Sequence, residues 1–295
     1  MVLTRHNRID SMLRTQKAQE WHIDGNVPWT KLDVRQPLMP TSLFRHSTLT
    51  ENEWVALAQL LGLMSIAAIS QHEAVMGAIE QQSLNGVDLG HESAGNLKPL
   101  LDQFFREESK HSEAFARYIE LFAKQKGIDL SDLKRLLPQL PRTSWITRGF
   151  LFLNWLGGNA IWHLVQMTEL ESIDLYRFLL DSGANVEPLF LELNRLHYEE
   201  EVRHISVPAL VLQAKGPSPA RRLNLVAARL LHSLWAIGQF RRLYQLRRLR
   251  HVHPFFAELY TGCTKLSFRL IASSLTSIHS YVLSGRRLRH FREAA

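Results

Sequence analysis

The stretch from Arg195 to His204, RLHYEEEVRH, carries the side chains of this sequence that are best suited to chemistry. On a helix, His197, Glu201 and His204 stand at positions i, i+4 and i+7, so all three project from one face. Aliphatic residues flank the stretch, and burying so polar a face costs free energy unless its groups are paired or bind a metal. Two imidazoles and a carboxylate on one face therefore indicate a candidate metal site.

A second copy of part of this pattern lies about ninety residues earlier in the chain. Glu108 and His111 form a Glu-x-x-His unit, and Glu201 and His204 form another. Carboxylate-bridged di-iron helical bundles use this unit on two of their four helices and a single Glu on each of the other two. The spacing makes Glu201 the ligand of its own stretch, whereas the preceding two glutamates, Glu199 and Glu200, are predicted to point elsewhere.

The remaining two ligands are expected on two further helices. Glu73 lies in the middle of the first long helix, among apolar neighbours, and is the candidate there. On the third helix either Glu169 or Glu171 could serve, because each shares a helical face with apolar residues and the periodicity does not decide between them. Alternatively, Glu73 is a polar residue on the protein surface, and His197 is a histidine whose only role is in the core.

The pattern along the chain predicts an all-α protein, because alternating strand patterns of any length are absent from the sequence. Four long amphipathic helices are expected to form a bundle, and Pro208 is expected to kink the fourth just beyond its motif. We predict a single domain with an N-terminal arm (1–49) that wraps the main body, the bundle (50–215) and basic C-terminal helices (216–295). The predicted helices span about 51–82, 97–125, 143–180, 186–214, 221–250 and 255–284, with a loop at 85–96.

Composition places the chain among soluble globular proteins, with 45% hydrophobic residues and one cysteine. The single Cys263 excludes an intramolecular disulfide framework, and no secretory segment is evident near the N-terminus, so we expect a cytoplasmic protein. No window is interpreted as a membrane span. The longest uncharged run, Phe150 to Thr168, contains polar residues and a glycine pair that suit a buried core helix better.

The net charge of +7 is unevenly distributed. Residues 215–295 contain 15 Lys and Arg against two Asp and Glu, a net charge of +13, which leaves −6 on residues 1–214. The arginines between Arg241 and Arg250 alternate with aromatic and aliphatic residues but form no nucleic-acid-binding motif. We expect an acidic carrier protein as the partner of this region; the alternatives are an anionic membrane surface and a solvated face without a partner.

The ligand pattern resembles the AurF-type p-aminobenzoate N-oxygenases, which are ferritin-like di-iron enzymes with seven protein ligands. In that family the extra histidine precedes the glutamate of the fourth helix by one turn, which is the position of His197 here. The stretch from Leu170 to Tyr176 also resembles the segment around the corresponding ligand of ribonucleotide reductase small subunits, and this favours Glu171 over Glu169. The resemblance covers roughly residues 20–215 and implies the metal ligands Glu73, Glu108, His111, Glu171, His197, Glu201 and His204.

The resemblance implies a ferritin-like bundle with two iron ions that uses O2 to oxidise a small-molecule amine to a hydroxylamine, nitroso or nitro product. An external electron donor, either a protein or a small reductant, would supply electrons, and the substrate could be free or tethered to the carrier protein. Manganese in place of iron, a homodimer, and a di-iron C-hydroxylase or desaturase remain compatible with the sequence. The alternatives outside oxygenase chemistry are a ferritin-like iron-binding protein and a helical interaction protein without metal.

Overall fold

The computed structural model describes residues 5–40, 43, 48–84, 91–139, 160–181, 185–214 and 221–266; the side chains of 5–8, 72–84, 91–96, 160, 221–222, 231, 235–237 and 240 are not described. Every regular element in these ranges is helical, so the predicted all-α class is confirmed. The α-helices are α1 (Arg5–Ala18), α2 (Ile23–Asn26), α3 (Glu51–Leu84), α4 (His91–Lys126), α5 (Leu130–Leu136), α6 (Ala160–Asp181), α7 (Pro188–His204), α8 (Ser206–Ala214), α9 (Arg221–Gln239), α10 (Leu246–Leu249) and α11 (Pro254–Lys265).

Four helices, α3, α4, α6 and α7, form the predicted bundle. Helix α3 packs against α4 and α6, and α7 packs against α6 and α4, so the four close around a common interior. Helix α9 lies against α6, and α11 lies against α3 on the outside of the bundle. These are the additional C-terminal helices that the sequence predicts.

The N-terminal arm wraps the bundle, as predicted. Helix α1 packs on α4, and the chain after it buries Trp21, Leu38 and Met39 in the core. The arm approaches α3 most closely at Gly62, where an added Cβ would lie 2.4 Å from Leu38 Cβ. A glycine is therefore needed at this position if Leu38 is to stay where it is.

Several helix boundaries differ from the prediction. Residues 91–96, predicted as loop because of their glycine content, belong to α4, since a helix tolerates a glycine at a cost of about 1 kcal/mol. The kink predicted just beyond the motif is confirmed as a break at Ile205, because Pro208 lacks the N–H that a continuous helix would use and its ring would meet the preceding turn. The predicted 221–250 helix passes into a 3-10 segment, Phe240–Gln245. Helix α5 was not predicted, and residues 140–159 and 267–295 lie outside the described part of the chain.

Glu187 fixes the start of α7, the helix that carries the RLHYEEEVRH stretch. Its carboxylate accepts hydrogen bonds from the backbone N–H groups of Leu189 (3.1 Å) and Phe190 (2.6 Å), as an N-cap does. The same carboxylate accepts hydrogen bonds from the backbone N–H of Asp33 and from the hydroxyl of Tyr118. One buried side chain thus joins the arm, α4 and the N-terminus of α7.

One helix among the described residues contains a stretch that is long and apolar enough to cross a membrane, judged by length and composition. This stretch is Glu51–Gln71 in α3, and no membrane span was predicted there from the sequence. In the structure, 72% of the apolar window is buried inside the protein. The core helix of a soluble bundle has this same composition, so the stretch is weak support for a membrane span.

A polar layer divides the apolar interior of the bundle into two parts. On α4, Phe104 belongs to one buried apolar cluster and Phe115 to the other. On the fourth bundle helix and its continuation, Leu196 and Val207 are divided between the two clusters in the same way. The Glu-x-x-His units lie between these positions on both helices, so the fold places them at the centre of the bundle.

Candidate metal centre

The two Glu-x-x-His units meet inside the bundle. Glu108 and His111 on α4 and Glu201 and His204 on α7 each offer one ligand atom, and these atoms all lie within 4.8 Å of one another. All four residues are buried, with at most 8% of any of them exposed. We call these four residues the central cluster.

Each histidine of the central cluster lies closest to the glutamate of the opposite helix. The Nδ1 atom of His204 is 2.7 Å from Glu108 Oε1, and that of His111 is 3.1 Å from Glu201 Oε1. Within each unit the corresponding separations are longer, 3.9 Å on α4 and 3.5 Å on α7. The two Nδ1 atoms therefore face a volume shared by both helices.

The other nitrogen of each ring contacts a second, outer carboxylate. His111 Nε2 is 2.6 Å from Glu200 Oε2, and His204 Nε2 is 2.6 Å from Glu107 Oε2. An ionised carboxylate only accepts hydrogen bonds, so each outer carboxylate holds a proton on Nε2 of its ring, and in the neutral form of the ring, which binds metal, the lone pair is on Nδ1. Outer carboxylates orient metal-binding histidines in this way and make them stronger donors. Without a bound metal, Glu201, Glu107 and Glu108 outweigh burial and raise the pKa of His204 well above its ordinary value, so this ring then carries a second proton.

The outer carboxylates are buried and have partners of their own. Gln103 donates a hydrogen bond to Glu107, and Lys110 Nζ donates one of 2.7 Å to Glu200. Burial alone would raise the pKa of Glu200, but His111 and Lys110 outweigh it and lower this pKa to about 2. Burial would likewise raise the pKa of Glu107, but the contact with His204 outweighs burial and lowers this pKa below its ordinary value. Both outer carboxylates are therefore held in the ionised form.

Glu200 is a correction to the sequence analysis, which predicted that it points away from the site. It is fully buried and contacts His111 across the helix interface. Neither outer carboxylate was predicted, although a signal for both exists in the sequence. Each unit reads Glu-Glu-x-x-His, as Glu107 to His111 and as Glu200 to His204, and the repetition of the first glutamate could have revealed them.

The N-terminal arm covers one side of the central cluster. The Trp21 ring stacks on His111 with 6.1 Å between ring centroids. Lys110 Nζ lies 4.4 Å above the centroid of the same Trp21 ring and donates a hydrogen bond to the Trp21 carbonyl. The arm thus contributes to excluding water from the cluster and to positioning Lys110.

His197 lies beside the central cluster, as predicted from its spacing. Its Nε2 is 2.7 Å from Glu201 Oε1, and its ring centroid is 4.4 Å from that of His111. Burial, together with the charges of His111 and His204, lowers the pKa of His197 well below the ordinary value. It is therefore a neutral imidazole in contact with the central cluster.

The structure places Glu169, rather than Glu171, beside the central cluster. Glu169 is buried, and its Oε2 is 4.0 Å from His204 Nδ1. Glu171 is partly exposed on another face of α6, where its Oε2 is 3.4 Å from Nε2 of His232 on α9. This placement favours Glu169, the alternative that the periodicity left open, over Glu171, which the resemblance implied.

Substitution distinguishes the two glutamates of α6. Glu169→Ala is expected to lower iron affinity at least about tenfold, whereas Glu171→Ala is expected to leave it within about twofold of wild type. Anaerobic titration with Fe(II), followed by metal analysis, measures both. An equal loss in the two variants, or a greater loss in Glu171→Ala, would contradict the reassignment.

Glu73, the candidate of the first helix, lies within α3, but its side chain is outside the described residues. Its position relative to the central cluster therefore stays a prediction. Of the seven residues proposed from the sequence, five are brought together: Glu108, His111, His197, Glu201 and His204.

The central cluster fits a bound metal by the chemistry of its donors. Among the described residues, no hydrogen bond of acceptable geometry reaches Glu108 Oε1, either carboxylate oxygen of Glu201, or His204 Nδ1, although all four atoms are buried. Burial and the neighbouring Glu201 raise the pKa of Glu108, whereas His204 and His111 outweigh burial at Glu201 and lower its pKa to about 2. A cation between the two carboxylates would favour the ionised form of Glu108 as well. Mixed carboxylate and imidazole donors suit iron or manganese.

Comparison with known proteins gives one structural similarity. No family model and no curated protein matches this chain. A solved structure that it resembles is an "R2-like ligand-binding oxidase with aerobically reconstituted metal cofactor after photoconversion". The TM-score is 0.41 and the identity 15%, over 95% of this chain and 91% of that one. The residues of the cluster are therefore the basis on which a function is proposed below.

Proposed function

We propose that this protein is a non-haem di-iron oxygenase that uses O2 to oxidise the amine nitrogen of a small molecule. The observation that carries the proposal is the crossed pairing of the two Glu-Glu-x-x-His units. In each, the second glutamate and the histidine face a shared volume, and the first glutamate holds the opposite histidine in the tautomer that binds metal.

The residues that would hold the two ions are those of the central cluster together with His197, Glu169 and Glu73. When bound, a pair of iron ions supplies the redox equivalents and the Lewis acidity that dioxygen activation requires. The chain fixes the protons of His111 and His204 on Nε2 through Glu200 and Glu107.

Buried aromatic rings keep the site dry. Phe104 meets the His204 ring edge-on at 4.7 Å between centroids, and Phe115 meets the His197 ring at 4.9 Å. Trp162 is fully buried in the same apolar cluster as Phe104. A dry site strengthens the electrostatic interactions inside it and protects reactive species from hydrolysis.

The choice of an amine as the substrate is supported by His197. A histidine one turn before the glutamate of this helix is the feature in which this chain resembles the AurF-type N-oxygenases, and the contact of His197 with Glu201 is compatible with a role as seventh ligand. The proposal includes an external electron donor and a cytoplasmic location. The substrate amine would be presented free or on a carrier protein.

The proposal is tested by metal analysis followed by a single turnover. Full-length protein is reconstituted anaerobically with Fe(II), freed of unbound metal, exposed to O2 with a panel of aryl and alkyl amines, and its products are identified by mass spectrometry. We expect about two irons per chain and a hydroxylamine, nitroso or nitro product. Oxidation at carbon would support an oxygenase but refute the amine as its target. Iron far beyond two per chain without substrate oxidation would indicate iron storage. Absence of iron would refute the proposal.

Replacement of His197 by alanine tests the seventh ligand. The variant is expected to keep the fold, measured by circular dichroism, and to lower the rate of O2 consumption by the iron-loaded protein about tenfold or more. His232→Ala is the matched control, because His232 is equally buried but belongs to the contact with Glu171. Wild-type O2 consumption in His197→Ala would assign His197 to the structural core.

A further inference from the structure

Helix α9 carries a row of apolar side chains on its outer face. Leu223, Val226, Leu230 and Leu234 are 66%, 61%, 58% and 39% exposed. Their spacing of three and four residues places all of them on one side of the helix. Among the described residues, eight large hydrophobic side chains are exposed, and six of them lie between Leu223 and Val252.

The described side chains on the opposite side of α9 are turned inward. Asn224, Ala228 and His232, spaced four residues apart, are all buried, and α9 packs against α6. His232 contacts Glu171 on α6 from this side of α9. With Asn224, Ala228 and His232 turned inward, the apolar row faces outward, whereas a surface helix ordinarily turns its apolar residues to the core.

Positive charge surrounds this apolar row. The exposed positions continue at the same spacing through Gly238, near the end of α9, and beyond this helix through Arg241 and Tyr244, of which Tyr244 is 82% exposed. Residues 221–266 contain nine Lys and Arg against one Glu, a net charge of +8. Arg247 and Arg248 are also exposed. We call the side chains of Leu223, Val226, Leu230, Leu234, Arg241, Tyr244, Arg247 and Arg248 the α9 surface.

We propose that the α9 surface binds an anionic lipid surface, with α9 lying in the plane of the headgroups. Aliphatic and aromatic side chains would enter the boundary between headgroups and acyl chains, and arginines would reach the lipid phosphates. A second copy of the chain is disfavoured, because two such basic surfaces would repel. An acidic protein would account for the arginines but leaves the outward aliphatic row without a role.

The proposal is tested by co-sedimentation of the full-length protein with phosphatidylcholine vesicles that contain or lack phosphatidylserine. We expect binding that requires phosphatidylserine and weakens as salt is added. Leu230→Asn should weaken vesicle binding roughly tenfold, and Arg248→Gln should weaken it about fivefold. The readout does not depend on bound metal, so its outcome is independent of the oxygenase proposal.

Leu180→Asn is the matched control, because Leu180 is 50% exposed at the end of α6, outside the α9 surface. Its vesicle binding should equal that of the wild-type protein. No binding to phosphatidylserine vesicles, or an equal loss in Leu180→Asn and Leu230→Asn, would overturn the proposal. Binding to polyglutamate without binding to vesicles would overturn the proposal in favour of an acidic protein. A dimer that the Leu230→Asn substitution dissociates, without binding to vesicles, would overturn it in favour of a second copy of the chain.

Discussion

Glu201→Ala protein is expected to bind fewer than about one iron per chain, against about two for the wild type. The reason is the central position of this carboxylate. Its Oε1 lies 3.1 Å from His111 Nδ1 and 2.7 Å from His197 Nε2, and its Oε2 lies 3.5 Å from His204 Nδ1. Glu201 is thus the carboxylate that contacts all three histidines, and its removal alters the surroundings of all three at once. Anaerobic Fe(II) reconstitution and metal analysis measure the change.

Glu199→Ala is the matched control for this substitution. Glu199 lies two residues earlier on the same helix, where it is exposed and pairs with Arg195. A surface ion pair of this kind contributes little to stability, about 1 kcal/mol or less. The control should therefore keep the iron content of the wild type. An unchanged iron content in Glu201→Ala would show that the central cluster is not the metal site.

Glu200→Ala is expected to destabilise the metal-free protein by about 3–5 kcal/mol, because it leaves buried charge unpaired. Glu200 is fully buried and neutralises Lys110, whose side chain is only 12% exposed. The substitution also removes the acceptor that holds the proton of His111 on Nε2. We therefore expect iron affinity to fall roughly 10–100-fold in addition. Urea unfolding and Fe(II) titration measure the two effects separately.

Glu200→Gln separates the charge from the shape of this side chain. The pKa of Glu200 lies at about 2 in the folded protein, below its ordinary value of 4.5, so its ionised form contributes stability above pH 4.5. That contribution is lost as the pH falls from 4.5 towards 2. The difference in unfolding free energy between wild-type and Glu200→Gln proteins should shrink over this range. A difference that does not change with pH would show that the Glu200 charge has no stabilising role.

The sequence predicts the parts of this site that depend on position within one helix. The i, i+3 spacing of Glu108 and His111, repeated at Glu201 and His204, is enough to place each pair on one face. His197 lies one turn before Glu201, so the same spacing rule places it on this face as well. The long apolar periodicity around these residues predicts the bundle, because only buried helices would bring such faces together.

Contacts between helices determine which glutamate of α6 lies beside the cluster, and the sequence pattern does not show these contacts. Glu169 and Glu171 are two residues apart and both have apolar neighbours on α6, so the helical period gives each a plausible place in the core. What separates them is His232, which comes from α9 and pairs with Glu171 on another side of α6. No pattern local to α6 contains that information.

Glu200 was missed for a related reason. It is rotated by about 100° from Glu201 on α7, so a prediction based on one helical face does not include it. In the bundle, α4 lies close enough that the rotated side chain still reaches His111. The exposure of the apolar row on α9 was likewise not predicted, since an apolar row on a helix is ordinarily assigned to the core.

Anomalous diffraction at the iron absorption edge, from crystals of the full-length protein reconstituted anaerobically with Fe(II), tests the central claim most directly. The account predicts two anomalous peaks within the central cluster, in contact with Glu108, His111, Glu201 and His204. Absence of an anomalous peak at these four residues in iron-soaked crystals, or peaks only elsewhere on the protein, would contradict it.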